Sequence, residues 1–142
     1  MSIYSIASPT VRIFSASSSG GLLSNAGDVG NIERLIDKFD LRRHLDPIVI
    51  SAAIGLRKPN PRAFEHVLAS WGIAPQAAVM IGDTLGADIL GAQLLGMPHI
   101  WFTAYADHPA NVAHRDTIVP RASAADLTQV VELVSLWARE AT

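Results

Sequence analysis

The sequence predicts an α/β fold, a three-layer sandwich whose mostly parallel sheet carries helices on both faces. Three observations carry this prediction. Short apolar runs alternate with stretches of helical period, the pattern of repeated βαβ units. Pro stands at the start of one helical stretch, and Gly follows the end of two. The chain has 142 residues, enough for one domain with a real core. Hydrophobic residues make up 49% and charged ones 17%, with a mean hydropathy of +0.27, so a buried sheet or an oligomer interface is expected.

The elements follow in order. Residues 10–14 read as a strand, and residues 15–21 as a flexible Ser-Gly turn. The whole stretch 1–21 has one Arg and no acid, so a transit peptide is the alternative reading. Residues 21–25 are a short apolar run with a polar end. Asn31 is the expected N-cap of a helix running to Phe39, with Ile32, Leu35, Ile36 and Phe39 on one face. Residues 47–51 form the next strand. Pro61 starts a helix with Phe64, Val67, Leu68 and Trp71 as its apolar stripe, and Gly72 ends it. Strand 77–81, helix 85–95 closed by Gly96, and strand 99–102 follow. Residues 103–122 read as irregular. Ser123-Ala124-Ala125-Asp126 reads as a variant capping box for a last helix, in which Leu127, Val130, Val131, Val134 and Trp137 repeat at helical spacing. At least four parallel strands should end at Ser24, Ser51, Asp83 and Phe102.

Composition narrows the function classes. A net charge of −2 gives no argument for nucleic-acid binding. The absence of cysteine excludes disulfides and thiolate metal sites. No apolar run approaches a membrane-spanning length, and a cytoplasmic location is expected.

The segment Met80-Ile81-Gly82-Asp83-Thr84-Leu85-Gly86-Ala87-Asp88 is the most informative. A buried strand ends in Gly-Asp, and a second Asp lies one turn into the helix that follows. Two carboxylates would then meet near the C-terminal edge of a sheet, where open α/β folds bind ligands. Hard cations such as Mg²⁺ take such oxygens. The alternative is a capping Asp plus a solvated helix Asp. Lys58, between a strand end and the helix from Pro61, could face the same edge and neutralise carboxylates or hold a phosphoryl oxygen; alternatively it is a surface Lys. Ser24 and Asn25 end a strand before Ala26-Gly27, a turn that could grip phosphate or be an ordinary turn. The five histidines show no ligand spacing.

Taken together, these residues resemble the second part of the haloacid dehalogenase (HAD) superfamily, phosphatase-like branch. Leu22-Leu23-Ser24-Asn25 is similar to its second motif. Arg57-Lys58-Pro59-Asn60-Pro61 with Phe64 is similar to its third. Gly82-Asp83-Thr84-Leu85-Gly86-Ala87-Asp88, with Gly91-Ala92 and Gly96-Met97, is similar to its fourth. The resemblance covers residues 21–102. It implies a Rossmann-like core that binds Mg²⁺ and transfers phosphoryl groups through an aspartyl intermediate. Ser24 and Asn25 would bind the phosphoryl group, Lys58 would pair with nucleophile and phosphate, and Asp83 would bind Mg²⁺ with Asp88 in support.

One departure is severe. The family's first motif, Asp-x-Asp-x-Thr at the end of the first strand, supplies the nucleophile and the general acid, yet no Asp precedes Asp28. The nearest candidate is strand 10–14, with Ser15 and Ser17 where the Asp pair would be. A serine with no adjacent base is a poor nucleophile. The family's cap domain and the helix before its second motif are also missing. Too few residues separate Phe14 from Leu22 for a parallel crossover. Strand 10–14 is therefore expected to pair antiparallel, to come from a partner chain, or to be unrelated sequence after an N-terminal truncation. The expected organisation is an atypical segment 1–20 followed by a HAD-like core over 21–142. The expected function is that of a catalytically impaired phosphohydrolase core with a small phosphorylated partner, no nucleic acid and no membrane. The alternatives are an active phosphatase completed by another chain, or a phosphate-, metabolite-binding or interaction module. A homodimer with exchanged N-terminal segments is expected, because it would fill the gap in the sheet.

Overall fold

The computed structural model of the protein describes residues 10–15 and 20–140. Among the described residues there are six strands: β1 (Thr10–Ser15), β2 (Gly20–Ser24), β3 (Ile48–Ile50), β4 (Ala78–Gly82), β5 (His99–Phe102) and β6 (Ala122–Ala124). They form one sheet in the order β3-β2-β1-β4-β5-β6. β2 and β3 pair in parallel, as do β4 with β5 and β5 with β6. β1 lies between β2 and β4 and runs antiparallel to both. The helices are α1 (Val29–Lys38), α2 (Ser51–Ile54), α3 (Pro61–Trp71), α4 (Leu90–Leu94), α5 (Pro109–Val112) and α6 (Leu127–Glu140).

Successive strand residues alternate between the two faces of the sheet. Leu22 joins Ile32, Ile36, Leu45 and Ile50 beneath α1, and in the same row Ile81 and Ile100 join Val130 beneath α6. Leu23 and Met80 face the other way, packing with Phe64, Val67 and Leu68 of α3 and Ala92 of α4. This is the expected three-layer sandwich with a mostly parallel sheet.

The C-terminal ends of β2 and β4 lie near Ser24 and Asp83, β3 ends one residue before Ser51, and β5 ends at Phe102. α3 spans Pro61–Trp71, and Gly72 caps it in the left-handed conformation at φ 65°. Several boundaries differ from expectation. The N-cap of α1 is Asp28, whose carboxylate accepts from Asn31 N; Asn31 is inside the helix. The residues expected to form one helix over 85–95 open with a π-helical turn, Leu85–Ile89, before α4. Ser123 lies in β6, so the cap of α6 falls on Asp126, which accepts from Gln129 N while Gln129 Oε1 accepts from Ala125 N. The stretch expected to be irregular contains α5 and leads into β6.

β1 takes the antiparallel course, one of the alternatives for strand 10–14, and this moves Ser15 from its expected place. Its antiparallel course sets Thr10 beside Ser24, at the edge where the parallel strands end, and Ser15 beside Ala78, at the opposite edge. Ser15 therefore does not stand where a nucleophilic carboxylate would. The reason is strand direction: β1 runs antiparallel to both of its neighbours. Ser17 and the rest of the expected turn at 16–19, like residues 1–9, lie outside the described residues, whereas Gly20 and Gly21 belong to β2. The division expected at residue 20 falls within the sheet. β1 also fills the central position from its own chain, so no exchanged segment is needed to complete it.

Gly91 sets the spacing between α4 and its neighbours. A Cβ there would overlap the Phe64 ring and press on Pro59 Cα at 3.3 Å. Close approach of α4 to α3 and to the loop at Lys58-Pro59 depends on that missing methyl. In an exposed helix Gly→Ala gains about 1 kcal/mol. Gly91→Ala is expected to have the opposite sign, lowering stability by about 1–3 kcal/mol through overpacking. Urea unfolding of the two proteins, compared at equal slope, checks it.

Candidate active site

Four side chains from four segments of the chain meet at the sheet edge where the parallel strands end. Lys58 reaches it from the loop before α3, Ser24 from the end of β2, and Asp83 and Asp88 from the end of β4 and the π-helical turn. Lys58, Ser24, Asp83 and Asp88 are each at most 3% exposed.

The Lys58 ammonium pairs with Asp88 Oδ1 at 2.8 Å and donates to Leu23 O at 2.9 Å. Its backbone is fixed by Asn25: Lys58 N donates to Asn25 Oδ1 at 2.9 Å, and Asn25 Nδ2 donates to Lys58 O at 3.0 Å. Asn25 thus faces the lysine loop. Asp88 is held at its second oxygen by Thr84 N, at 3.0 Å. The wide π-helical turn brings the Asp88 side chain back over Gly82, where an added Cβ would collide with it. The Gly in Gly-Asp is therefore required by the carboxylate six residues later.

Asp83 is placed differently. Its Oδ1 accepts from Thr84 Oγ1 at 3.0 Å, whereas its Oδ2 is buried with no partner among the described residues. Ser24 Oγ is also buried with no partner among the described residues. An unpaired buried acceptor is costly, about 1–3 kcal/mol. Two such oxygens at one sheet edge, beside a buried cation, form a polar cradle suited to a ligand with its own charges. Burial lowers the Lys58 pKa below the ordinary lysine value, and the Asp88 charge pulls it back. Burial raises the Asp83 carboxyl above its ordinary value, and the Asp88 charge adds to the rise.

The site residues expected from the sequence, Ser24, Asn25, Lys58, Asp83 and Asp88, lie together at this edge, with the Asn25 carboxamide turned to the Lys58 backbone and the Asp88 carboxylate to Lys58 and Thr84 N. Asp88 Oδ2 accepts from Thr84 N, and Asp88 Oδ1, though it has no hydrogen-bond partner among the described residues, lies in an ion pair with Lys58, so Asp83 Oδ2 is the carboxylate oxygen with neither a hydrogen bond nor an ion pair there. Among the described residues no group of three His, Asp or Glu is placed to hold a metal. The sequence reading missed Asn111. Its buried carboxamide accepts from Leu85 N at 2.9 Å and donates to Asp83 O at 2.9 Å. No spacing signal links residues so far apart in the chain.

The site thus combines an α/β sheet with a buried Lys–Asp pair and a Gly-Asp turn at its C-terminal edge. The family model for HAD-hydrolase-like proteins matches residues 55–130, more than half of the chain, and the chain belongs to that family. It is 30% identical over 82 residues to a glyceraldehyde 3-phosphate phosphatase of Pyrococcus furiosus, covering 58% of this chain and 34% of the relative. It is 32% identical over 100 residues to pyrimidine 5'-nucleotidase YjjG of Escherichia coli, covering 69% and 44%. Among solved structures, a 2-haloacid dehalogenase from Pseudomonas syringae aligns with a TM-score of 0.60 at 29% identity, over 72% of this chain and 42% of that one. A HAD phosphatase from Thermococcus onnurineus shares the fold, with a TM-score of 0.61 at 22% identity, over 72% and 45%. The chain spans less than half the length of each of these proteins.

Two predictions follow from the charges. Removing one partner of a buried ion pair strands the other, at about 3–5 kcal/mol. Lys58→Met should therefore destabilise by that order, and Lys58→Met with Asp88→Leu should recover most of the loss, as read from urea midpoints. Asp83 is a buried carboxylate with a raised pKa. Between the ordinary value of 3.8 and the raised one, the folded state binds more protons than the unfolded. Its contribution to stability therefore grows as pH falls through the folded value and levels off below the unfolded one. In metal-free buffer Asp83→Asn should be more stable than the parent at pH near 7, with a margin that shrinks toward pH of about 4. Denaturant titrations across that range check it, and an equal or lower midpoint at neutral pH would contradict it.

Proposed function

We propose that this chain forms the Mg²⁺- and phosphate-binding side of a phosphatase-type HAD site and is impaired in hydrolysis by the aspartyl route. The observation that carries the reading is that two buried oxygens at the ends of the strands flanking β1, Ser24 Oγ and Asp83 Oδ2, have neither a hydrogen-bond partner nor an ion pair among the described residues, while a third, Asp88 Oδ1, has only its ion pair with Lys58. Ser24 would donate its hydroxyl to a phosphoryl oxygen, with Asn25 setting the lysine loop beside it. Lys58 would supply positive charge to the same oxygen. Asp83 Oδ2 would hold Mg²⁺, which favours one or two carboxylates together with waters and substrate phosphate. Asp88 would support it by fixing Lys58 and the Asp83-Thr84 turn. Bound there, the cation would neutralise phosphoryl charge.

Impairment is supported by strand direction. The register beside Ser24 brings Thr10 to the site edge, and the chain has no carboxylate before Asp28. The relatives named as phosphatases and a nucleotidase suggest a small phosphate monoester as the ligand class.

The expected result is negligible release of p-nitrophenol from p-nitrophenyl phosphate with Mg²⁺, together with calorimetric binding of Mg²⁺ that Asp83→Asn abolishes. Turnover near a typical kcat of about 10 s⁻¹, lost in Asp83→Asn, would overturn the impairment and favour a site completed by another copy.

A further inference from the structure

Asn111 sits in α5, beyond the five strands and three longer helices that build the motif-bearing part of the chain, yet it reaches the metal side of the site. Its side chain is 2% exposed as a residue and uses both ends of its carboxamide. Oδ1 accepts from Leu85 N at 2.9 Å. Nδ2 donates to Asp83 O at 2.9 Å and to Tyr105 O at 2.8 Å. The Trp101 indole donates to the same Asp83 O at 3.1 Å. Two donors thus occupy the Asp83 carbonyl and hold it turned toward α5 and β5.

The turn Asp83-Thr84-Leu85 is consequently gripped from both sides. Asp88 and the Thr84 hydroxyl hold it on one side, through Thr84 N and Asp83 Oδ1. Asn111 holds it on the other, bridging Asp83 O and Leu85 N. With the carbonyl of Asp83 fixed, its carboxylate is left to face the site with Oδ2 unpartnered. The support is itself braced. His108 Nδ1 caps α5 by accepting from Ala110 N at 3.2 Å, and Arg115 donates to Ala106 O at 3.1 Å. His114 packs on Gly86, where a Cβ would come within 2.9 Å of the ring. The segment after β5 is therefore fitted to the turn at two neighbouring points.

We propose that Asn111 is the positioning residue of the Asp83 turn: it fixes Asp83 O and Leu85 N so that the Asp83 carboxylate is aimed into the site. The role of Asp83 toward Mg²⁺ rests on the function proposed above; the holding of the turn does not. A buried Asn that bridges three backbone groups would also contribute to stability wherever it stood, so the test needs a local readout.

Three variants separate the roles. Asn111→Ala removes both ends of the carboxamide. Asn111→Asp keeps the acceptor for Leu85 N and loses the donors to Asp83 O and Tyr105 O. Val130→Ala, in the core beneath α6, lowers stability away from the turn. Native-state hydrogen exchange and Mg²⁺ calorimetry are read on folded protein. In Asn111→Ala the Leu85 amide should exchange at least about tenfold faster relative to amides of β5, and in Asn111→Asp it should stay protected. Mg²⁺ affinity should fall about 10–100-fold in both, the range for groups that orient a ligand, and hold within about twofold in Val130→Ala. Uniform acceleration of all amides in Asn111→Ala, or unchanged Mg²⁺ affinity in that folded variant, would overturn the positioning role. If the parent chain binds no Mg²⁺, the proposed function fails, and the Leu85 amide alone then decides for or against Asn111.

Discussion

The buried pair of Lys58 and Asp88 is the interaction on which the site depends. Two charges removed from water are tolerated only where each satisfies the other and the remaining bonds are met. Here the remaining bonds come from backbone groups of the site itself. Leu23 O takes a proton of the ammonium, and Thr84 N serves the second carboxylate oxygen. The pair therefore ties the end of β2 to the turn after β4, with β1 between them. Gly82 and Gly91 make the tie possible: the first admits the Asp88 side chain, and the second lets α4 approach Phe64 and the lysine loop. Because Asp88 is engaged by Lys58 and Thr84, the uncommitted carboxylate at this edge is Asp83.

Strand direction decides what this arrangement can do. A parallel strand in the central position would end at the same edge as β2 and β4 and could present a carboxylate between Ser24 and Asp83. The antiparallel β1 begins there instead, at Thr10, and its last residue, Ser15, lies at the far edge. Among the described residues the sheet is continuous across β1, and the proposed impairment rests on the absence of a carboxylate at the site end of that strand.

Much of this was legible in the sequence. Strand 99–102 and helix 61–71 match their expected limits, since a dense apolar run and a Pro-to-Gly frame leave little choice. Ser24, Lys58, Asp83 and Asp88 were legible because Gly-Asp after an apolar run, and Lys-Pro before a helix, are local signals. Other features were not local. Asn31 and Asp28 are both good caps, and tertiary packing set the frame of α1. The π-helical turn answers to Asp88 folding back over Gly82, a demand that no periodicity records. β6 has three residues, too short for an alternation to show. The direction of β1 follows from pairing partners rather than its own residues. Asn111 acts through three backbone groups distant in sequence, so its chemistry exists only once the chain has folded.

The most direct test of the central claim is to locate a cation at the edge by anomalous scattering from crystals soaked in Mn²⁺. The account predicts one peak at a bonding distance of about 2.0–2.2 Å from Asp83 Oδ2, close to Ser24, with the Lys58–Asp88 pair intact. A peak bound to Asp88 with Lys58 displaced, or no density beside Asp83 at saturating Mn²⁺, would contradict it.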